Sequence, residues 1–124
     1  MAGDASNNLW KAFGYAWAGL RWALARERNL RIHAAAALAV LAAGFLFGLN
    51  GLEWAVISLT VFFVLAAELF NTALEQVVDL TVGDRYHPLA KIAKDAAAGA
   101  VLLAALNAVI VGCIIFGSRI LRMV

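Results

Sequence analysis

Three stretches of this chain are almost free of polar side chains. Ala34 to Leu49 carries no charged or amide group, Trp54 to Ala67 carries no charge, and Ala96 to Phe116 is apolar apart from Asn107. With their flanks these runs predict spans at about 31–49, 52–80 and 89–117, each long enough for a hydrocarbon core of roughly 30 Å. Gly48, Asn50 and Gly51 punctuate the first junction, so the second span must return antiparallel to the first. Pro88 follows the polar loop from Thr81 and fits the first turn of a new helix, where its missing amide proton is not needed.

The front of the chain alternates differently. Trp10, Phe13, Trp17, Leu20 and Leu24 recur at intervals of three or four and share one helical stripe, with Lys11 and Tyr15 on the other side and Arg21 beside it. A Trp-rich apolar face with basic neighbours suits the headgroup boundary, which predicts a surface helix at about 5–28. Asp4 and the polar opening residues do not fit a secretory signal, so targeting is expected to come from the spans. The predicted class is an all-α membrane protein, one unit over residues 1–124.

Composition agrees: 65% of residues are hydrophobic and 15% charged, where soluble domains run at about 45–50% and about 25%. The single cysteine, Cys113, lies inside an apolar run. It excludes a disulfide framework and a cysteine-based zinc site within one chain. Net charge is only +2, but its placement is uneven. Lys11, Arg21, Arg26, Arg28 and Arg31 precede the first span, and Arg85, Lys91 and Lys94 lie between the second and third, whereas only Arg119 and Arg122 fall on the opposite side. The excess places the N-terminus and the second loop in the cytoplasm. Trp54 is expected to anchor the far interface.

The second span changes character at Glu68. Glu68, Asn71, Thr72, Glu75 and Asp79 fall within an arc of roughly 100° on an α-helix, with Glu68 and Glu75 about 10 Å apart along the axis. Acidic groups at a helix centre cost about 2.5–3.5 kcal/mol each on insertion scales, so they must face protein, a metal ion or a water-filled cleft. Such carboxylates suit a hard cation such as Mg²⁺, and one held in a dry setting suits a general base on an alcohol. Lys94 and Asp95 open the next helix on the same side, where a lysine can reach phosphate. Metal, base and cation together describe phosphoryl transfer. A proton- or cation-translocating bundle would use the same column, and a structural polar interface is a third reading. No Gly-rich phosphate loop or soluble-kinase motif is present, and no nucleic-acid partner is expected.

The stretch Glu68-Leu-Phe-Asn71-Thr72-Ala-Leu-Glu75-Gln-Val-Val-Asp79 resembles the signature of the prokaryotic diacylglycerol kinase family. Gly19-Leu20-Arg21, Glu27, Tyr86-His87 and Ala93-Lys94-Asp95 fit the same pattern in the same order, so the likeness covers essentially the whole chain. It implies a homotrimeric lipid kinase of the bacterial inner membrane, with ATP as co-substrate, a divalent cation such as Mg²⁺, and active sites at the cytoplasmic interface partly shared between subunits. By resemblance Glu68 matches the catalytic base, Glu27 and Glu75 the metal-binding carboxylates, and Asn71 the amide that orders the site. Lys94 matches the phosphate-contacting lysine, Asp95 a residue near the nucleotide, and Tyr15, Tyr86 and His87 positions around it. Two branches exist, for diacylglycerol and for undecaprenol. The runs Glu27–His33 and His87–Asp95 are more similar to the undecaprenol branch. His33 is expected to mark the interface, Asn107 to bond a neighbouring helix, and Asp79 to be as readily structural as catalytic.

Overall fold

The computed structural model describes residues 8–124 as four helices: α1 (Asn8–Arg26), α2 (Arg28–Phe47), α3 (Gly51–Val82) and α4 (Pro88–Met123). The expected first turn of the surface helix, at residues 5–7, and Asp4 lie outside the described residues. The last three helices are long and apolar enough to cross a membrane. At 1.5 Å per residue α2 is about 30 Å long, whereas α3 and α4 reach about 48 and 54 Å. The chain therefore has one helix of bilayer length and a hairpin that overreaches it.

Each junction has a local cause. α1 stops where Glu27 turns extended, and Arg31 folds back to donate from Nη1 to the carbonyl oxygens of Leu24 (2.9 Å) and Ala25 (3.0 Å). Carbonyls left open at a helix C-terminus favour a cation there. Gly48 ends α2 at φ 64°, the left-handed conformation that glycine takes without penalty. Asn50 then opens α3 with a capping box: its side chain accepts from the Glu53 amide at 2.9 Å while Glu53 accepts from the Asn50 amide at 3.0 Å. Gly83 ends α3 at φ 61°. His87 caps α4 through Nδ1, which accepts from the Leu89 amide at 3.1 Å, and Pro88 occupies the first turn as expected.

α3 and α4 pair along their lengths, and α2 leans on α3. Two ion pairs pin the register of the hairpin. Lys94 donates to Asp79 at 2.6 Å near the α3–α4 turn, and Arg119 donates to Glu53 near the other end. The apolar core sits at that other end, where Leu49, Ile57 and Ile115 are buried and Phe47 meets Phe116 edge-on at 5.5 Å. The helices are thus zipped at the α2–α3 turn and less filled toward the α3–α4 turn.

Two expectations change. The third span does not stop at Gly117: α4 continues to Met123, because Ser118 satisfies its hydroxyl on the Ile115 carbonyl and Arg119 is held by Glu53. Trp54 is not a free interface anchor; its ring packs on Gly44 and lies 4.9 Å from the Phe45 ring. Asn107 is exposed, and its helix–helix partner does not lie among the described residues of its own chain. The α1 stripe, by contrast, stays open as expected of a surface helix: Trp10, Phe13 and Trp17 are 78%, 64% and 63% exposed.

Where Trp54 meets Gly44, a Cβ on the glycine would lie 2.5 Å from the ring. In lipid, helices associate by such close packing rather than by a hydrophobic drive. Gly44→Val should therefore lower the unfolding free energy in micelles by about 1–3 kcal/mol, the usual cost of overpacking. The loss should be less than additive with Trp54→Ala in a double-mutant cycle; full additivity would show that the two side chains do not clash.

Candidate functional site

The expected stripe on α3 exists and is graded in depth. Glu68 is 3% exposed and Thr72 4%, Asn71 and Glu75 are half-buried, and Asp79 is exposed. Thr72 donates its hydroxyl to the Glu68 carbonyl at 3.1 Å, which satisfies a polar group that apolar surroundings would penalise. Asn71 donates from Nδ2 to Glu75 Oε1 at 3.2 Å, orienting that carboxylate. Two oxygens remain buried with no hydrogen-bond partner: Glu68 Oε2 and Asn71 Oδ1. Buried polar atoms are almost always paired, so two orphans on one stripe leave bonding capacity that the described residues do not fill.

α2 supplies the facing wall. Glu27, Asn29 and His33 lie around the Glu68 carboxylate, close enough to act on it electrostatically. Glu68 therefore sits at the depth where α2 begins. Beyond that level α3 and α4 continue past the start of α2, carrying Glu75 about 10 Å and Asp79 about 16 Å further along the axis. Glu27 reaches the group because it occupies the extended residue between α1 and α2 and spends no side-chain bond on capping α2.

The second cluster lies at the α3–α4 turn. A concavity of ≈ 290 Å³ is lined by Asp79, Arg85, Tyr86, His87, Lys91, Lys94 and Asp95, among others. Lys94 is held at its wall by Asp79, and Lys91 pairs with Asp95 at 2.5 Å. Glu75 joins the two clusters, since it acts electrostatically on both Glu68 and Lys94.

The sequence-derived residues thus fall into two groups linked by Glu75. Glu27, Glu68, Asn71 and Glu75 form the deep one; Lys94, Asp95, Tyr86 and His87 form the outer one. Tyr15 does not join them: it is exposed on α1 and lines neither wall. Sequence reasoning missed Asn29, which with His33 acts on Glu68. Their spacing of four residues, one turn of α2, was the available signal. It left Asp79 undecided, and the structure makes it the partner of Lys94.

The oxygens here suit a hard divalent cation. Among the described residues no three His, Cys, Asp or Glu side chains form a ready cage. Mg²⁺ commonly takes only one or two carboxylates and completes its shell with water and phosphate oxygens. Glu75, with the unpartnered Asn71 Oδ1 beside it on the stripe, offers oxygens of that kind.

Comparison with known proteins gives a consistent picture. The prokaryotic diacylglycerol kinase family matches the chain over residues 14–116. A protein of Synechocystis named diacylglycerol kinase is 59% identical over 105 residues, covering 85% of this chain and 60% of the relative. A Bacillus subtilis protein named undecaprenol kinase is 50% identical over 111 residues, covering 89% of each chain. An Escherichia coli protein named diacylglycerol kinase is 36% identical over 109 residues, covering 88% of each. The chain therefore spans under two thirds of the cyanobacterial relative and most of the other two.

Proposed function

We infer the activity of this chain from one premise: it belongs to the prokaryotic diacylglycerol kinase family. The reading that follows is an ATP-dependent lipid kinase, with undecaprenol as the alcohol and undecaprenyl phosphate as product. The observation that carries it is the buried, unpartnered Oε2 of Glu68, placed at the level where α2 begins and below a basic pocket. A lipid hydroxyl at the membrane boundary meets a carboxylate there.

The chemistry divides between the two clusters. Glu68 accepts the hydroxyl proton as the lipid oxygen attacks the γ-phosphorus of ATP; the new O–P bond forms as the bond to the β-phosphate oxygen breaks, and ADP leaves. Lys94, Lys91 and Arg85 supply positive charge for the phosphates in the outer pocket, with Tyr86, His87 and Asp95 around the nucleotide. The distance of about 10–16 Å from Glu68 to Glu75 and Asp79 gives an extended triphosphate room to reach down the stripe. A divalent ion such as Mg²⁺, held by Glu27 and Glu75, would neutralise phosphate charge. Asn71 orients Glu75.

Orientation follows the basic residues: the N-terminus and the α3–α4 turn face the cytoplasm. Arg119, ion-paired with Glu53, and Arg122 are the two basic residues on the opposite side. The membrane is the bacterial inner membrane. The working unit is a homotrimer, supported by the wide exposed apolar faces and by Asn107, a lone amide within an exposed stretch of α4. Diacylglycerol is the second reading, favoured by the name of the cyanobacterial relative. The runs Glu27–His33 and His87–Asp95 and the near full-length match to the Bacillus protein favour undecaprenol. A proton-coupled transporter would consume no ATP.

Glu68→Gln should reduce turnover by about 10²–10⁴-fold, the range of a general base, while the protein still binds nucleotide; wild-type rates with either lipid would remove the assignment. Lys94→Ala should raise KM for ATP far more than KM for lipid, and equal ATP kinetics would show that the lysine contacts no phosphate. Glu27→Gln and Glu75→Gln should each weaken Mn²⁺ binding, followed by electron paramagnetic resonance, by about 10-fold or more. Unchanged Mn²⁺ affinity in both would place the cation elsewhere.

A further inference from the structure

The outer pocket holds more positive charge than it offers. Arg85, Lys91 and Lys94 all line it, yet both lysines already hold carboxylates: Lys91 holds Asp95, and Lys94 holds Asp79. The two pairs differ in kind. Lys91 and Asp95 lie one turn apart on α4, the ordinary spacing of a helical surface pair. Lys94 and Asp79 are 15 residues apart and join α4 to α3 at 2.6 Å. Asp79 is the outermost group of the α3 stripe, one turn beyond Glu75. Bonded there, the Lys94 ammonium stands about 16 Å along the axis from the level of Glu68. It also feels Glu75, which lies about 6 Å nearer to that level. The Lys94 side chain is 40% exposed and that of Asp79 55%, so water and anions reach the pair.

We propose that Asp79 is a positioning residue that parks Lys94 at the rim of the pocket until a phosphate of the nucleotide displaces it. Binding is then an exchange of one oxygen anion for another, and Asp79 lowers the affinity for nucleotide. The assignment rests on the reading of this pocket as the nucleotide site and adds an opposing group to it. A carboxylate and a phosphate offer an ammonium the same kind of acceptor oxygen. Bringing a phosphate to Lys94 while Asp79 stays bonded sets two anions side by side, which their repulsion opposes. An exposed pair of this kind is weakly held, so it yields readily. Lysine carries its charge as a point on a flexible four-carbon stem. Freed from Asp79 and drawn by Glu75, the ammonium can follow the phosphates down the stripe. When they leave, Asp79 takes it back, and no bare cation remains to retain product. The ion pair at the other end of the hairpin, Glu53 with Arg119, takes no part in the exchange and keeps the register of α3 and α4. Asp84 supplies an internal control: it carries the same charge in the same turn but does not line the pocket.

The test is equilibrium binding of the β,γ-imido analogue of ATP, with Mg²⁺, to the full chain in micelles at one fixed ionic strength. Asp79→Asn should lower Kd about two- to fivefold, the range set by an exposed ion pair. An unchanged or higher Kd overturns the proposal, and a higher one is what a purely structural pair would give. Asp79→Glu, which keeps the carboxylate, should bind like wild type; a gain as large as that of Asp79→Asn overturns the exchange. In a Lys94→Gln background the gain from Asp79→Asn should vanish. The same gain there, or an equal gain in Asp84→Asn, would reveal a general charge effect and overturn it too. Asparagine matches aspartate in shape at this exposed site, and Asp79→Ser removes the same charge should the amide disturb the turn. Weaker binding in Lys94→Gln with no gain in Asp79→Asn would leave the nucleotide reading and remove the exchange. The full expected cycle in a protein that transfers no phosphate to either lipid would do the reverse.

Discussion

A carboxylate at 3% exposure inside an apolar helix is the constraint around which this chain is arranged. Glu68 cannot face lipid without a cost of about 2.5–3.5 kcal/mol toward the centre of a bilayer. The fold lessens that cost by depth and company. It sets Glu68 level with the first turn of α2, within reach of Asn29 and His33. On that face α3 carries Asn71, Thr72, Glu75 and Asp79 above that level and Ile57, Val61 and Val64 directly below it. The boundary between lipid-like and water-like surroundings therefore passes through one side chain.

That placement depends on helix lengths and on register. α2 has 20 residues while α3 and α4 have 32 and 36. The surplus carries Glu75, Asp79, Lys94 and the turn beyond the end of α2, out to where a soluble nucleotide can reach. Sliding α4 by one turn against α3 would separate Lys94 from Asp79. Ion pairs near both ends of the hairpin oppose such a slide. The pair at the far end, Glu53 with Arg119, is also tied to the α2–α3 turn, because Glu53 belongs to the Asn50 capping box. A single carboxylate thus links the turn, the start of α3 and the last turns of α4.

Packing is uneven along the bundle. Leu49, Ile57 and Ile115 close one end of the bundle, and Trp54 on Gly44 brings α2 against α3 there. Toward the α3–α4 turn, alanines replace these larger side chains, and the helices leave space between them. With little interior of its own, the chain exposes much of its apolar surface, which lipid and further copies are suited to cover.

The periodicities alone determined the four helices, because a span needs about 20 apolar residues and a stripe at intervals of three or four admits one reading. The graded stripe of Glu68, Asn71, Thr72, Glu75 and Asp79 was equally legible, since residues on one helix fix one another's bearings. The family signature supplied the identity of the deep and outer residues. What lay beyond the sequence was every relation between helices. That Asn29 and His33 face Glu68, that Asp79 holds Lys94, that Arg119 extends α4 by meeting Glu53, and that Trp54 turns inward onto Gly44 all depend on register and on which faces meet. Those choices are made by packing across separations of up to 66 residues, where local periodicity carries no information.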